Sequence, residues 1–225
     1  MKLYLSSAGA EQEKRVLDAT LSILSTPKRK RLLKTSDAQQ RTCYALSELL
    51  LAWAVYIEWN IVLPEETITE GVYGKPGLRQ NGYEFNKSHS GNCVLIGVDE
   101  RAIGVDIQQH KYESRQPARR IMDDDTYHAW CKSEDRDKTF FDFWSRKESV
   151  LKWSGLGLSG LGTSDPHLPE GVSASSVAAP EGYSAYVCGT LDVSKTILPT
   201  VVNINDLLEF GEAMRLRAFS TLQLI

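Results

Sequence analysis

Four groups of residues carry side chains able to do chemistry. The first centres on Asp106, an acid inside the apolar run Ile103-Gly104-Val105-Asp106-Ile107. A carboxylate beside a buried strand is costly unless it is ion-paired, hydrogen-bonded or metal-bound. Gln108 stands two residues on and shares its side of the strand, about 7 Å away along the backbone. An acid and an amide oxygen so placed suit a cation, although a strand with a wet second face gives the same pattern. The second group lies in Phe143-Trp144-Ser145-Arg146-Lys147-Glu148-Ser149-Val150-Leu151-Lys152. Phe140, Trp144 and Leu151 define an apolar stripe, and Lys147 or Glu148 stands where the stripe should continue. Glu148 and Lys152 are also i, i+4 neighbours in the favourable order. A surface ion pair fits this pattern, and so does an acid for a metal or a proton flanked by cations for phosphate. The third group is Gly74-Lys75-Pro76 with Phe85-Asn86-Lys87-Ser88-His89-Ser90, which offers a lysine at a rigid turn, hydroxyls and an imidazole. Such groups contact phosphate well, though a loop histidine is often only solvated. The fourth is Lys28-Arg29-Lys30-Arg31 with Lys34, and Arg41 beyond it; a solvated helix start is the ordinary meaning of such a run.

The elements that must hold these groups can be read from periodicity. Lys2 to Ser6 reads as a strand and Glu11 to Leu24 as a helix. Pro27 suits the start of a second helix. From about Asp37 to Trp59 apolar residues recur at helical spacing, through Tyr44, Leu46, Leu49, Leu50, Trp53, Ala54 and Ile57. Leu63 to Asn92 reads as a loop. Cys93 to Val98 and Ala102 to Ile107 read as an antiparallel hairpin around Asp99-Glu100-Arg101. In the second run Ile103, Val105 and Ile107 share one face, and Gly104, Asp106 and Gln108 the other. A second cycle follows: a helix from about Lys138 to Trp153, a glycine-rich exit (Gly155, Gly157, Gly160, Gly162), and a loop to about Gly182. Strands then span Tyr183 to Leu191 and Val201 to Ile204. A long helix followed by strands in each half suggests a duplicated α/β unit with a boundary near residues 105–115.

Composition narrows the function classes. The chain has 225 residues, 42% hydrophobic and 24% charged, with 26 Lys+Arg against 29 Asp+Glu. At this length about 70% of the unfolded surface can be buried, enough for a core without staples. A formal charge of −3 gives no global field, so anions must bind at a local patch, and a general nucleic-acid binder is disfavoured. Cys43, Cys93, Cys131 and Cys188 are widely spaced, which argues against a disulfide scaffold or zinc site and for a cytoplasmic protein with reduced thiols. The N-terminus does not read as a signal peptide. The longest apolar stretch, Leu49 to Ile57, is too short for a bilayer.

In combination the motifs point to a family. Ile103-Gly104-Val105-Asp106-Ile107 followed by Phe143 to Lys152 resembles the two signatures of 4′-phosphopantetheinyl transferases, roughly (I/V)G(V/I)D and (F/W)xxKE(S/A)xxK. Gly74-Lys75-Pro76 and Phe85-Asn86-x-Ser88-His89-Ser90 resemble the further motifs of the surfactin-synthetase-activating (Sfp-like) subclass, and the length agrees. The resemblance implies an α/β (α+β) pseudo-dimer of two similar halves, each a small antiparallel sheet packed with a long helix. Residues 1–107 would form the N-terminal half with the coenzyme A-binding loops. Residues 108–225 would form the C-terminal half with the signature helix and the carrier-docking surface.

It also implies Mg²⁺-dependent transfer of the 4′-phosphopantetheine arm of coenzyme A to a serine of an apo peptidyl or acyl carrier protein, with release of adenosine 3′,5′-bisphosphate. Mn²⁺ is an alternative metal. Asp106 and Glu148 become metal ligands, with Gln108 standing where many members have a third acid, and Glu148 also accepts the serine proton. Lys147 and Lys152 hold phosphate charge. Lys75, Ser88 and His89 line the coenzyme A site, while Lys28, Arg31 or their neighbours take the 3′-phosphate with Arg41 nearby. The carrier would dock near Lys111, Arg115, Arg119 and Arg120, although ordinary surface charge looks the same. The implied protein is a cytoplasmic monomer that binds neither nucleic acid nor membrane, serving nonribosomal peptide, siderophore, antibiotic or polyketide synthesis. The competing readings are a non-catalytic coenzyme A or carrier-protein binding module, and a metal-dependent nucleotide hydrolase using the same acids.

Overall fold

The computed structural model describes residues 1–63, 68–70, 75–78, 82–111, 115–156, 167–191 and 196–222. In chain order it runs β1 (Lys2–Ser7), a 3-10 turn (Ala10–Gln12), α1 (Glu13–Leu21), α2 (Thr26–Lys34) and α3 (Ala38–Trp59). Then come β2 (Ile68–Glu70), β3 (Pro76–Leu78), β4 (Glu84–Ser90), β5 (Cys93–Asp99) and β6 (Gly104–Gln109). α4 (Arg115–Ile121), α5 (Asp124–Lys132), α6 (Arg136–Ser154), β7 (Val172–Ser176), β8 (Tyr183–Thr190), β9 (Thr200–Val201) and α7 (Ile204–Leu222) complete it.

The long helices form where the periodicity predicts, and their ends are chemically marked. Asp37 caps α3 by accepting from the Gln40 backbone N–H at 2.6 Å, and Asn60 closes it in the left-handed region at φ 52°. Asp135 caps α6 through the Lys138 N–H at 3.0 Å, and Gly155 ends it at φ 75°. Gly157, Gly160 and Gly162 of the expected glycine-rich exit, and Gly74 of the upstream motif, lie outside the described residues.

One sheet has strand order β4-β5-β1-β9 and another β6-β8-β7; β2 and β3 form a separate ribbon. Strand alternation sorts side chains into layers. Tyr4 of β1 and Val94, Ile96 and Val98 of β5 face a core shared with α3, where Leu46, Leu49 and Leu50 are fully buried. Leu3 and Leu5 of β1 with Cys93 and Leu95 of β5 face the other way, against Ile103, Val105 and Ile107 of β6 and Val187 of β8, Ile103 standing just before β6 begins at Gly104. Each fully buried aliphatic side chain contributes about 1.5–3 kcal/mol relative to exposure. The layering is therefore helix, sheet, sheet, helix, with α6 covering the outer face of β6 and β8.

Several expectations are corrected. Leu63 to Asn92 is not a loop: β2, β3 and β4 lie within it. β5 and β6 do not form a hairpin. Both edges of β5 are taken, by β1 and β4, and β6 pairs instead with β8, Asp106 opposite Tyr186. β6 crosses the face of β5, made possible by Gly97, where a Cβ would lie 2.7 Å from Ile103 Cδ1 and 2.8 Å from Val105 Cγ1. The expected loop before Gly182 contains β7, and Ile204 opens α7 rather than continuing a strand. The β1–β9 pairing is parallel, so the first sheet is not wholly antiparallel. Near the C-terminal end, β9 and α7 return the chain to β1, α1 and α3.

Candidate active site

β4 organises the site by alternation. Phe85, Lys87 and His89 line a cleft of about 580 Å³ against α2 and α3. Asn86, Ser88 and Ser90 point the other way and bind β6 through side chains. Asn86 Oδ1 accepts from the Val105 N–H at 2.9 Å, Ser88 Oγ donates to Asp106 Oδ1 at 2.7 Å, and Ser90 Oγ accepts from the Gln109 N–H at 3.0 Å. The seam between the sheets is thus stitched by β4 side chains.

Asp106 is 1% exposed, so the wet-face reading of β6 does not hold. Its Oδ1 accepts from Ser88 and from Lys152 Nζ at 2.6 Å, and its Oδ2 accepts from Gln108 Nε2 at 3.1 Å. Lys152 Nζ also donates to Ser88 Oγ at 3.0 Å. Glu148, one helical turn before Lys152, is likewise buried, and its Oε1 has no hydrogen-bond partner among the described residues. Burial pushes the Glu148 carboxyl above its ordinary value; Lys152 pulls it back and the Asp106 charge adds to the rise. The surface ion-pair reading of this helix face therefore gives way to a buried acid close enough to Asp106 to feel its charge.

α6 reaches β6 this closely because of Gly104. A Cβ there would collide with Ser149 O and Trp153 N and lie 2.8 Å from Trp153 Cα. Gly104 and Asp106 share the face of β6 that meets the helix, so the glycine sets the distance at which Glu148 and Lys152 confront Asp106.

The cleft beside this centre gathers part of the predicted cation set. Lys28, Arg31 and His89 line it, and His89 follows Ser88 directly. His89 is exposed but ringed by protein. Desolvation first, then Lys87, Lys152 and Arg31, hold its pKa below the ordinary value. Lys75 donates to the Trp153 carbonyl at 3.3 Å, a cation at the end of α6, and its neighbour Pro76 lines the cleft. Two predicted residues are not brought there. Arg41 binds Glu13 and the carbonyls of Thr35 and Ser36 just beyond α2. Lys147 is buried, and its charge acts on Asp123 at the N-cap of α5. The separate 550 Å³ groove between α1 and α7, lined by Arg15, Asp18 and Glu209, holds none of the predicted residues.

Three cleft residues escaped the sequence reading. Glu48 lies on α3, Lys87 on β4, and Tyr44 carries Arg31 and Lys87 over its ring at 5.2 and 5.9 Å. Glu48 left a signal, an acid among Leu46, Leu49, Leu50 and Leu51, masked by the helix's overall apolar character. Lys87 leaves no such signal, because its shared face with His89 exists only once β4 is a strand.

Among the described residues no three His, Cys, Asp or Glu side chains cluster to hold a metal. The donor set at the centre is two buried carboxylates, one with an oxygen unpartnered among the described residues, and an amide. Oxygen donors of this kind fit Mg²⁺, which takes one or two carboxylates and completes its shell with water and phosphate oxygens.

Residues 102–185 match the 4′-phosphopantetheinyl transferase superfamily. The chain is 36% identical over 132 residues to the 4′-phosphopantetheinyl transferase psf-1 of Bacillus pumilus, covering 56% of this chain and 55% of the relative. It is 28% identical over 142 residues to the 4′-phosphopantetheinyl transferase Sfp of Bacillus subtilis (strain 168), covering 62% and 63%. To the 4′-phosphopantetheinyl transferase ffp of Bacillus subtilis it is 26% identical over 162 residues, covering 71% and 72%. The matched region thus spans little more than half to under two thirds of the first two relatives.

Proposed function

We propose that this chain, a homologue of the 4′-phosphopantetheinyl transferase superfamily through residues 102–185, moves the 4′-phosphopantetheine group of coenzyme A to a serine of an apo peptidyl or acyl carrier protein. The observation that carries this reading is Glu148, a buried acid with an oxygen unpartnered among the described residues, set beside Asp106 and next to a cationic cleft.

In the reaction the serine Oγ–P bond forms and a pyrophosphate P–O bond breaks. Adenosine 3′,5′-bisphosphate leaves with the bonding electrons, and the serine proton must be taken up. We assign the acceptor role to Glu148, directly or through a water, as a buried carboxylate one helical turn from Lys152 and close enough to Asp106 to feel its charge. Asp106, Glu148 and, directly or through water, Gln108 would hold Mg²⁺. When bound, Mg²⁺ neutralises charge developing on the leaving phosphate. Lys152 supplies a cation fixed by Asp106 and Ser88. Ser88, His89, Lys75, Lys28 and Arg31 line the path of coenzyme A. Lys147 and Arg41 are assigned supporting roles, in the packing of α6 against α5 and of α2 against α3. The nucleophile belongs to the carrier, so the chain needs no catalytic serine or cysteine.

The same reading makes the fold a pseudo-dimer. It is supported by the strand orders β4-β5-β1 and β7-β8-β6, in each of which a first strand, a long helix and two more strands follow one plan. The boundary would fall at β6, with β9 and α7 returning to the first half. Carrier docking is assigned to the exposed cations Lys111, Arg119 and Arg120, beside an apolar groove of about 400 Å³ that includes Phe141, Trp144 and Gln108. Among the described residues no helix is long and apolar enough to cross a membrane; we assign a monomer in the cytoplasm.

The test is intact mass spectrometry of an apo carrier incubated with coenzyme A, Mg²⁺ and the protein, beside Glu148→Ala. The expected result is a gain of one phosphopantetheine group that the variant fails to produce. No gain on peptidyl or acyl carriers, with coenzyme A still bound, would favour the binding module. Bisphosphate release without carrier would favour the hydrolase.

A further inference from the structure

An anion cleft that contains a buried carboxylate needs explaining. Glu48 is 5% exposed and lies among the residues lining the 580 Å³ cleft, whose cations are Lys28, Arg31 and Lys87, with the His89 imidazole beside them. One of its oxygens accepts from Lys28 Nζ at 3.0 Å and the other from Lys87 Nζ. These partners stand on α2 and β4, and Glu48 on α3, so one carboxylate ties together three walls of the cleft. Burial by itself would raise the Glu48 pKa, but Lys87 and Lys28 outweigh it and bring it below its ordinary value. Tyr44, one turn earlier on α3, presents its ring to Arg31 and Lys87.

We infer that Glu48 is a positioning residue that holds the ammonium groups of Lys28 and Lys87 at a fixed separation, making them a preformed clamp for a phosphate of coenzyme A. This rests on the reading of the cleft as the coenzyme A site. A lysine is a flexible point charge with four rotatable carbons; held by one N–H to Glu48, it keeps two N–H groups for a ligand and loses less entropy on binding. The carboxylate removes one unit of attraction for the anion, and prepaid geometry outweighs it.

The two contributions predict opposite signs, which makes the inference testable. Charge summation alone predicts that Glu48→Gln tightens coenzyme A binding, because a negative charge leaves an anion site. Positioning predicts that it weakens, by about tenfold, the size of one charge-assisted hydrogen bond. Calorimetry with coenzyme A and with adenosine 3′,5′-bisphosphate as probes reads the affinity directly, apart from transfer. Steady-state transfer should show the loss mainly in KM for coenzyme A rather than in kcat. A cycle with Lys28→Ala separates positioning from a general loosening of the fold: the loss in the double variant should fall short of the product of the two single losses, because only the Lys87 share of Glu48's effect is left to lose. Tighter or unchanged binding by Glu48→Gln, or losses that simply multiply in the double variant, would overturn the inference. If the unaltered protein binds neither probe, the coenzyme A reading itself fails, whatever Glu48 does.

Discussion

Gly104→Ala should separate the two halves of the active centre. The added methyl would lie 2.8 Å from Trp153 Cα and closer still to Ser149 O and Trp153 N, all backbone atoms of one turn of α6. Carbon atoms rest about 3.5–4.0 Å apart, and no side-chain rotation relieves a clash with backbone, so the helix must retreat by roughly 1 Å. Overpacking of this kind costs about 1–3 kcal/mol, against a total stability of about 5–15 kcal/mol for a domain. The variant should therefore fold, with a lowered Tm. Its function should suffer more. Glu148 and Lys152 ride on the displaced turn while Asp106 stays on β6, and a misplacement of about 1 Å costs on the order of 100-fold in rate. The assay is holo-carrier formation by mass spectrometry under kcat/KM conditions, with circular dichroism to confirm that the helices remain. A variant with intact helices and kcat/KM within about threefold of the parent would refute the argument that Gly104 sets the working distance.

Further outcomes follow from the same contacts. Gln108→Glu brings a third charge to the Asp106–Glu148 pair and should lower the half-saturating Mg²⁺ concentration; an unchanged or higher value in a Mg²⁺ titration of transfer would contradict a metal role for this position. Reversing Arg119 and Arg120 to Glu should raise KM for the carrier and leave that for coenzyme A, and a rise in the coenzyme A value instead would move the docking surface elsewhere. Glu48 has a folded-state pKa below its ordinary value of 4.5, so its ion pairs stabilise the fold above that pH and lose this contribution as pH falls through the folded-state value. Urea unfolding should show Glu48→Gln less stable than the parent at pH 7, with the gap closing as the solution is acidified towards and below pH 4.5; a gap that widens would reverse the sign of the coupling. Burial pushes the Cys43 and Cys188 thiols up to about 12, so in the native protein iodoacetamide at pH 8 should label the half-exposed Cys131 first. Peptide mapping that finds Cys43 or Cys188 modified first would show that the fold opens at those sites.

The long helices and the candidate reacting groups are legible in local pattern. Asp37 before an apolar periodicity marks α3, because a cap and a 3.6-residue stripe are properties of contiguous residues. Asp106 within a strand and Glu148 within an apolar stripe stood out because burying charge is costly wherever it happens. How these pieces meet depends on the packing of distant segments. β6 pairs with β8 because both edges of β5 are occupied, a matter of distant strands that no local pattern encodes. β4, within a Gly-, Pro- and Asn-rich stretch, becomes a strand because β5 offers it an edge, and only then do Lys87 and His89 share a face. Glu48 looks like a flaw in an apolar helix until Lys28 and Lys87 arrive from α2 and β4. Arg41 looks like a phosphate ligand until Glu13 and the carbonyls of Thr35 and Ser36 take its donors. Residue type sets which charges must be compensated; only the packing of distant segments sets whether the compensating group is another side chain or a place left for a ligand.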